Sequence, residues 1–402
     1  MKISLHKLLL FGSIGLFSIG AATAAANEQQ QKPFHNHNSL DVKTILENHH
    51  QPDTLKAHEK HFKGGDTLAY VTPWNNRGYD IVKEFKGKFD YVSPVWYYIQ
   101  RRSSMQFDID GEHDVDQNWI NEVRDKDTGR GKVLPRFQLR GWTGDDLRLF
   151  VSSKEESQIL ANELIEQVNK YNFDGLVIEC GFPAFFQIFL NQLSVLLHKD
   201  GRLLVVVLPA IMTEDHKKYM TPDIFKAMSQ YVDRFSLMTY DFSSHDLNGG
   251  PASPIEWIMD NIEYLAPSAE ERSKLLIGLN MYAMSYLPTR APEPLVMKTI
   301  VEKLADQPKQ MLLDDELFED NVEDNTSSEV LNWDSVSQEA WFVDVDEEGI
   351  RQGTVWMPTL RSIKNRLRLA EDYGVGIALW EVGQGLDYYV SVDKYLNFCH
   401  LF

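Results

Sequence analysis

Residues 173–181 read Phe-Asp-Gly-Leu-Val-Ile-Glu-Cys-Gly, a short apolar run that ends on an acid and a glycine. Such a run, β-branched and bounded by Gly175 and Gly181, has the length and composition of a strand covered on both faces. Strand alternation then puts Val177, Glu179 and Gly181 on one face and Leu176, Ile178 and Cys180 on the other. Working outward, similar runs recur through the chain. Eight are expected: Leu68–Thr72, Phe89–Val95, Val133–Leu139, Gly175–Cys180, Leu203–Leu208, Arg234–Thr239, Leu275–Asn280 and Gly376–Trp380. Several, such as LLVVVL and LLIGLN, are nearly continuous apolar stretches. Helical patterns lie between them. Ser152–Tyr171 opens on a capping box, Ser153 with Glu156, and then repeats Ile159, Leu160, Leu164, Ile165 and Val168 at helical spacing. Pro183–Lys199 and Thr359–Tyr373 are similar.

Eight strand–helix alternations predict an α/β protein, a (β/α)8 TIM barrel. A doubly wound open sheet is the rival, and it does not usually need eight units. The rhythm breaks once, between the seventh and eighth strands. Strand-like series at Glu339–Val345 and Gly353–Met357 there predict a small α+β insertion over about 283–358. Within it, Asp314–Asp324 holds seven acids in eleven residues. It reads as a solvated loop, because the ordered spacing of a calcium loop is missing. Asn325 opens an Asn-Thr-Ser sequon and is a candidate glycan acceptor in an exported protein.

Before the barrel, residues 1–26 have the layout of a secretory signal peptide. Lys2, His6 and Lys7 precede an apolar stretch, and Ala22, Ala24 and Ala26 offer a cleavage site. The expected localisation is therefore secreted or extracellular, with no membrane span. Residues 27–65 are polar and carry six of the twelve histidines: His35, His37, His49, His50, His58 and His61. Without cysteines and with irregular spacing they read as a solvated, partly helical approach rather than a metal site. The barrel is expected over 66–402. The chain has 402 residues and a formal charge of −19, or −21 once Lys2 and Lys7 are removed. A surface this acidic repels phosphate backbones and anionic lipid, which argues against nucleic-acid partners. The two cysteines, Cys180 and Cys399, read as small buried thiols rather than a disulfide framework. No phosphate-binding glycine loop and no metal triad occurs, so no cofactor is expected.

Barrel function collects where strands end. Here the strand ends are aromatic or acidic: Trp74, Trp96, Trp142, Glu179, Tyr240, Asp241, Tyr282 and Trp380. Each alone is more often a packing residue. Together they predict a cleft of flat apolar faces with a few carboxylates, which suits sugars. His245 reads as a loop histidine and Gly383-Gln384-Gly385 as a turn.

These residues also resemble glycoside hydrolase family 18, the chitinases. Phe173–Gly181 is similar to its fourth-strand signature D-G-x-D-x-D-x-E, Met238–Asp241 to its M-x-Y-D, and Gly376–Trp380 to its last strand with a cleft-floor tryptophan. SLMTYDFS, LIGLNMYAMSY and ALWEVGQGLDYY are closest to a chitinase-like branch. The resemblance spans roughly Leu68 to Tyr389. One departure is decisive: the signature's catalytic Glu position holds Gly181, and the preceding acidic positions hold Val177 and Glu179. The family's reaction is substrate-assisted, so the proton donor is the indispensable protein group. Glycine has no proton to donate. Glu179 sits two residues earlier, about 6–7 Å down the strand. It is expected to accept ligand hydroxyls or to pair with Asp241, with a shared proton.

The resemblance thus implies a non-hydrolytic lectin for chito-oligosaccharides or related N-acetylated and bacterial saccharides. It also implies lysosomal routing, innate immune sensing and a stabilin-type scavenger-receptor partner. A protein-interaction module on the same scaffold is the second reading, and an altered glycosidase using Glu179 or Asp241 is the third.

Overall fold

The computed structural model describes residues 40–52, 57–306, 331–346 and 348–391. The leader pattern at 1–26, His35, His37, the acidic run Asp314–Asp324, Asn325 and Cys399 lie outside these residues. The principal sheet begins with β1 Thr67–Val71, β2 Tyr91–Pro94, β3 Tyr97–Ser103, β4 Gln106–Asp110, β5 Lys132–Val133, β6 Arg136–Leu139, β7 Gly175–Glu179, β8 Leu203–Pro209, β9 Arg234–Met238 and β10 Leu275–Asn280. A second sheet follows, with β11 Ala283–Tyr286, β12 Glu293–Leu295, β13 Asn332–Asp334, β14 Glu339–Val345 and β15 Arg351–Met357. The chain then returns to the first sheet as β16 Gly376–Trp380.

The principal sheet is parallel apart from the β3–β4 hairpin. Its strand order is β4-β3-β6-β7-β8-β9-β10-β16-β1-β2-β5. One expected strand is broken into two ladders, β5 from β6 at Leu134-Pro135, and a further strand, β3, follows the second expected one after Val95-Trp96. Pro135 lacks the N–H a continuous ladder requires. The sheet curls so that β2 meets β5 and β3 meets β6, both in parallel register. All eight expected strands are present within a residue or two. Ser153 caps the helix Lys154–Lys170 through the Glu156 amide, and Thr359 caps Leu360–Tyr373.

Apolar side chains divide by strand parity. Leu68, Tyr70, Val177, Val205, Val207, Leu276 and Ala378 fill the inside of the curl. Leu176, Ile178, Leu204 and Val206 pack outward on the helices, with Cys180 among them. Val177 and its neighbours thus segregate as alternation requires.

The second sheet, order β12-β11-β15-β14-β13, is antiparallel and comes from the residues between β10 and β16. It is tied down by a buried ion pair. Arg366, on the helix Leu360–Tyr373, meets Glu339 at 3.0 Å, and Glu339 also accepts the Ala252 and Ser253 amides.

One expectation needs correction. Residues 40–52 and 57–62 are not a solvated approach to a fold that starts at Asp66. Leu40, Val42, Ile45, Ala57 and Phe62 are buried in the outer core. Asp41 caps the helix Val42–Asn48, and the Leu331 amide donates to the Leu40 carbonyl. The segment's histidines make it look polar, but these apolar residues pack into the core. Among the described residues, no helix is long and apolar enough to cross a membrane.

Candidate functional site

The inner ends of β6, β7, β9 and β16 converge on Glu179. Its Oε2 accepts from Arg136 Nη1 at 2.8 Å and its Oε1 from Gln138 Nε2 at 2.6 Å. Arg136 and Gln138 stand two residues apart on β6, on the face Leu134 also uses, and β6 lies beside β7 with Gln138 opposite Glu179. The Arg136 guanidinium is 5.3 Å from the centre of the Trp380 ring and lies over it. Tyr70 packs against Trp380 at 5.1 Å and 61° and donates to Ser236 Oγ at 2.9 Å. Tyr240 completes this floor. Its ring lies so close to the backbone of β10 that a Cβ at Gly278 would come within 2.7 Å of it. Burial, reinforced by Tyr70 and Glu179, holds the Tyr240 hydroxyl well above the ordinary phenol range.

Gly181 stands at the mouth. It is exposed, its φ is 72°, and a side-chain carbon built there would meet nothing within 4 Å. Glu179 does not pair with Asp241 as expected. A guanidinium and an amide reach it from β6, while Asp241 accepts a hydrogen bond from the Tyr282 hydroxyl. Each acid is thus held by its own partner.

Of the eight expected residues, the structure brings Glu179, Tyr240 and Trp380 together at the floor. Asp241 and Tyr282 adjoin them, and Tyr282 packs in a cluster with Met284, Tyr286 and Trp380. Trp74 stands apart at the rim, 64% exposed in the turn after β1. Two residues are not in the cleft. Trp96 is completely buried against Trp119 and Phe173, with its indole N–H on the Tyr79 hydroxyl at 2.7 Å. Strand alternation from Tyr91 to Trp96 leaves Val95 inside and turns Trp96 outward. Trp142 donates to the Ile99 carbonyl at 2.9 Å and packs on Phe107 and Phe150, on the outer side. Sequence reasoning missed Arg136, Gln138, Tyr70 and Ser236. The signal for the first two was present: polar residues at alternate positions of an expected strand, sharing the parity of an inward leucine.

Glu381, directly after Trp380, is also buried. It accepts from Asn75 Nδ2 at 2.7 Å and from the Gly383 amide at 3.0 Å, and burial pushes its carboxyl up to about 7.

Residues 66–385 match the family model described as Glycosyl hydrolases family 18. The chain belongs to this family. Among curated relatives, the cortical fragment-lytic enzyme of Bacillus subtilis (strain 168) is 25% identical over 270 residues, 62% of this chain and 56% of that protein. The chain thus spans about half the length of the curated relatives it matches. Among solved structures, a chitinase from Chromobacterium violaceum superposes with a TM-score of 0.64 at 19% identity, covering 82% of this chain and 98% of that one. A family 18 chitinase from Cycas revoluta, solved as a mutant in complex with (GlcNAc)4, has a TM-score of 0.63 at 13% identity, with 82% and 99% covered. At these identities the structural likeness concerns the fold. Family 18 membership agrees with the motif order of strands β7, β9 and β16, and sets the frame in which Gly181 is read.

Proposed function

We propose that this chain is a chitinase-like lectin that holds N-acetylated oligosaccharides, of the chito-oligosaccharide kind, without hydrolysing them. In this reading the curled sheet is a (β/α)8 barrel, and the antiparallel sheet is an insertion between its seventh and eighth strands that walls the cleft. The observation that carries the proposal is the empty position at Gly181. Space is available for a carboxyl side chain there, and the sequence supplies none. The nearest acid on the strand, Glu179, is held by Arg136 and Gln138 and faces the floor. A general acid must reach the leaving oxygen with a proton to give. Both oxygens of Glu179 are turned onto Arg136 and Gln138 and away from the position a leaving oxygen would take beside Gly181. What remains of the family's machinery is a set of rings and hydrogen-bonding groups, which is what binding alone requires.

Export, lysosomal routing, a role in immune sensing and a scavenger-receptor partner belong to this proposal on family resemblance alone. No residue of the cleft demands them. The test is release of 4-methylumbelliferone from its N,N′-diacetylchitobioside conjugate, with wild type and Glu179→Gln side by side. The expected result is no release above buffer from either. Turnover by the wild type that disappears in Glu179→Gln would establish the altered-glycosidase reading instead. Titration with chitotetraose separates the lectin from the protein-interaction module, since a module that uses the barrel only as scaffold gives no saturable heat at millimolar sugar.

A further inference from the structure

The deepest flat surface in the cleft is already occupied. Arg136 is 7% exposed, its guanidinium lies over Trp380 and its Nη atoms reach Glu179 and Gln138, the latter at 3.3 Å. Tyr70 closes another approach to the same ring. A sugar stacking on Trp380 must displace the guanidinium and strand Glu179 without its cation. Breaking this partly buried pair costs more than one aromatic face returns.

Other rings are open. Directly after Gly181 the chain exposes Phe182 at 46% and Phe185 at 55%, and the segment following β8 brings up Tyr219 at 46%. The Tyr219 ring lies 5.5 Å from Phe182 and 6.0 Å from Phe185, tilted by 49° and 60°, so ring faces stay open to solvent. A depression of about 310 Å³ runs between the two segments and is lined by Pro183, Pro209, Ile211, His216 and Met220 as well as by Phe182 and Tyr219. Its lining residues include no carboxylate, lysine or arginine. His216 Nδ1 accepts the Met212 amide at 3.2 Å, which in the neutral imidazole puts the proton on Nε2 and makes that nitrogen a donor. Grouped exposed rings mark a contact surface. The ligand this one fits is uncharged, with flat C–H faces and a carbonyl oxygen, and it begins one residue from the position the family resemblance gives to the reacting end.

We propose that the saccharide is held on the rim formed by Phe182, Phe185 and Tyr219, with His216 donating to an acetamido oxygen, and that Arg136 keeps it off Trp380. This rests on the lectin reading and moves its binding surface outward from the floor. Calorimetric titration of the full chain with N,N′,N″,N‴-tetraacetylchitotetraose tests it, using wild type, Phe185→Ala, Tyr219→Ala, Tyr219→Phe and Val195→Ala. Loss of one stacking face is expected to weaken Kd about tenfold in each of the two rim alanine variants. Tyr219→Phe keeps the ring and stays within about twofold on the same argument. Val195, exposed on the outer helix Gln187–His198, leaves Kd unchanged when replaced. Saturable wild-type binding with unaltered Kd in both rim alanine variants overturns the rim site and leaves the lectin reading standing. No saturable heat from the wild type removes both.

Discussion

Arg366→Met is expected to destabilise the fold by about 3–5 kcal/mol, the range for removing one partner of a buried ion pair. Arg366 is 4% exposed and meets Glu339 at 3.0 Å, while its other N–H groups serve the carbonyls of Gln338, Ser337, Ser253 and Ser362. One side chain therefore ties the helix Leu360–Tyr373 to the loop after β9 and to the edge of β14. Methionine fills much of the volume but satisfies none of these acceptors. Glu339 would be left with two backbone amides and no cation in a dry site. Burial already pushes its carboxyl upward, and without Arg366 nothing with a positive charge opposes that. The variant's deficit then acquires a pH dependence. With the folded value raised above the unfolded one, the folded state binds the extra proton. Its stability is greatest below about 4.3, where Glu is protonated in both states, and falls as the pH climbs through the window above. Urea midpoints at pH 5 and pH 8 check this: the gap to wild type should be wider at pH 8. A gap of under about 1 kcal/mol at both pH values, far short of the buried-pair range, would mean that water, not Arg366, neutralises the site.

How far the sequence carried depends on what each residue type reports. Strands were legible because inward and outward apolar residues alternate without interruption, as at Leu176–Val177–Ile178. Helix starts were legible where a hydroxyl cap stands three residues before its partner, as at Ser153. The same periodicity did not mark the further strand Tyr97–Ser103 that follows Val95-Trp96. Trp96 lies in the outer core rather than the cleft because it has the parity opposite to the inward Tyr91 and Val95, so its place at a strand end was a weaker guide than its parity. Glu179 was placed on the correct face, yet its partner was misread. The sequence offers Asp241 as a neighbour, whereas the group that reaches it is a cation on the neighbouring strand. Which strands adjoin was foreseeable; which of two long side chains fills the space between them was not. The absence at Gly181 was fully visible in the sequence, because the lack of a proton donor requires no coordinates.

Glu381→Gln is expected to stabilise the protein at pH 8 relative to wild type while leaving the two nearly equal at pH 5. The carboxyl of Glu381 is 1% exposed and closes the turn that follows Trp380, holding Asn75 at the start of the helix Asn76–Glu84 and the Gly383 amide. Burial raises its value to about 7, and those two hydrogen bonds pull the other way. An acid raised in the folded state stabilises the fold below its unfolded value near 4.3, and that contribution declines until the pH passes the folded value. Above about 7 the wild type carries an ionised, buried carboxylate with two neutral donors for company. The shift corresponds to about 3 kcal/mol between the ends of the window, from the relation between pKa difference and stability. Glutamine has no proton to lose, and its carbonyl can still accept from Asn75 or Gly383, so its own stability lacks this component. Since every other titrating group is common to both proteins, the difference between their urea midpoints isolates Glu381. The gap should open by about 2–3 kcal/mol from pH 5 to pH 8. A flat difference over that interval would mean that Glu381 ionises at its ordinary value, and that water reaches the turn after Trp380.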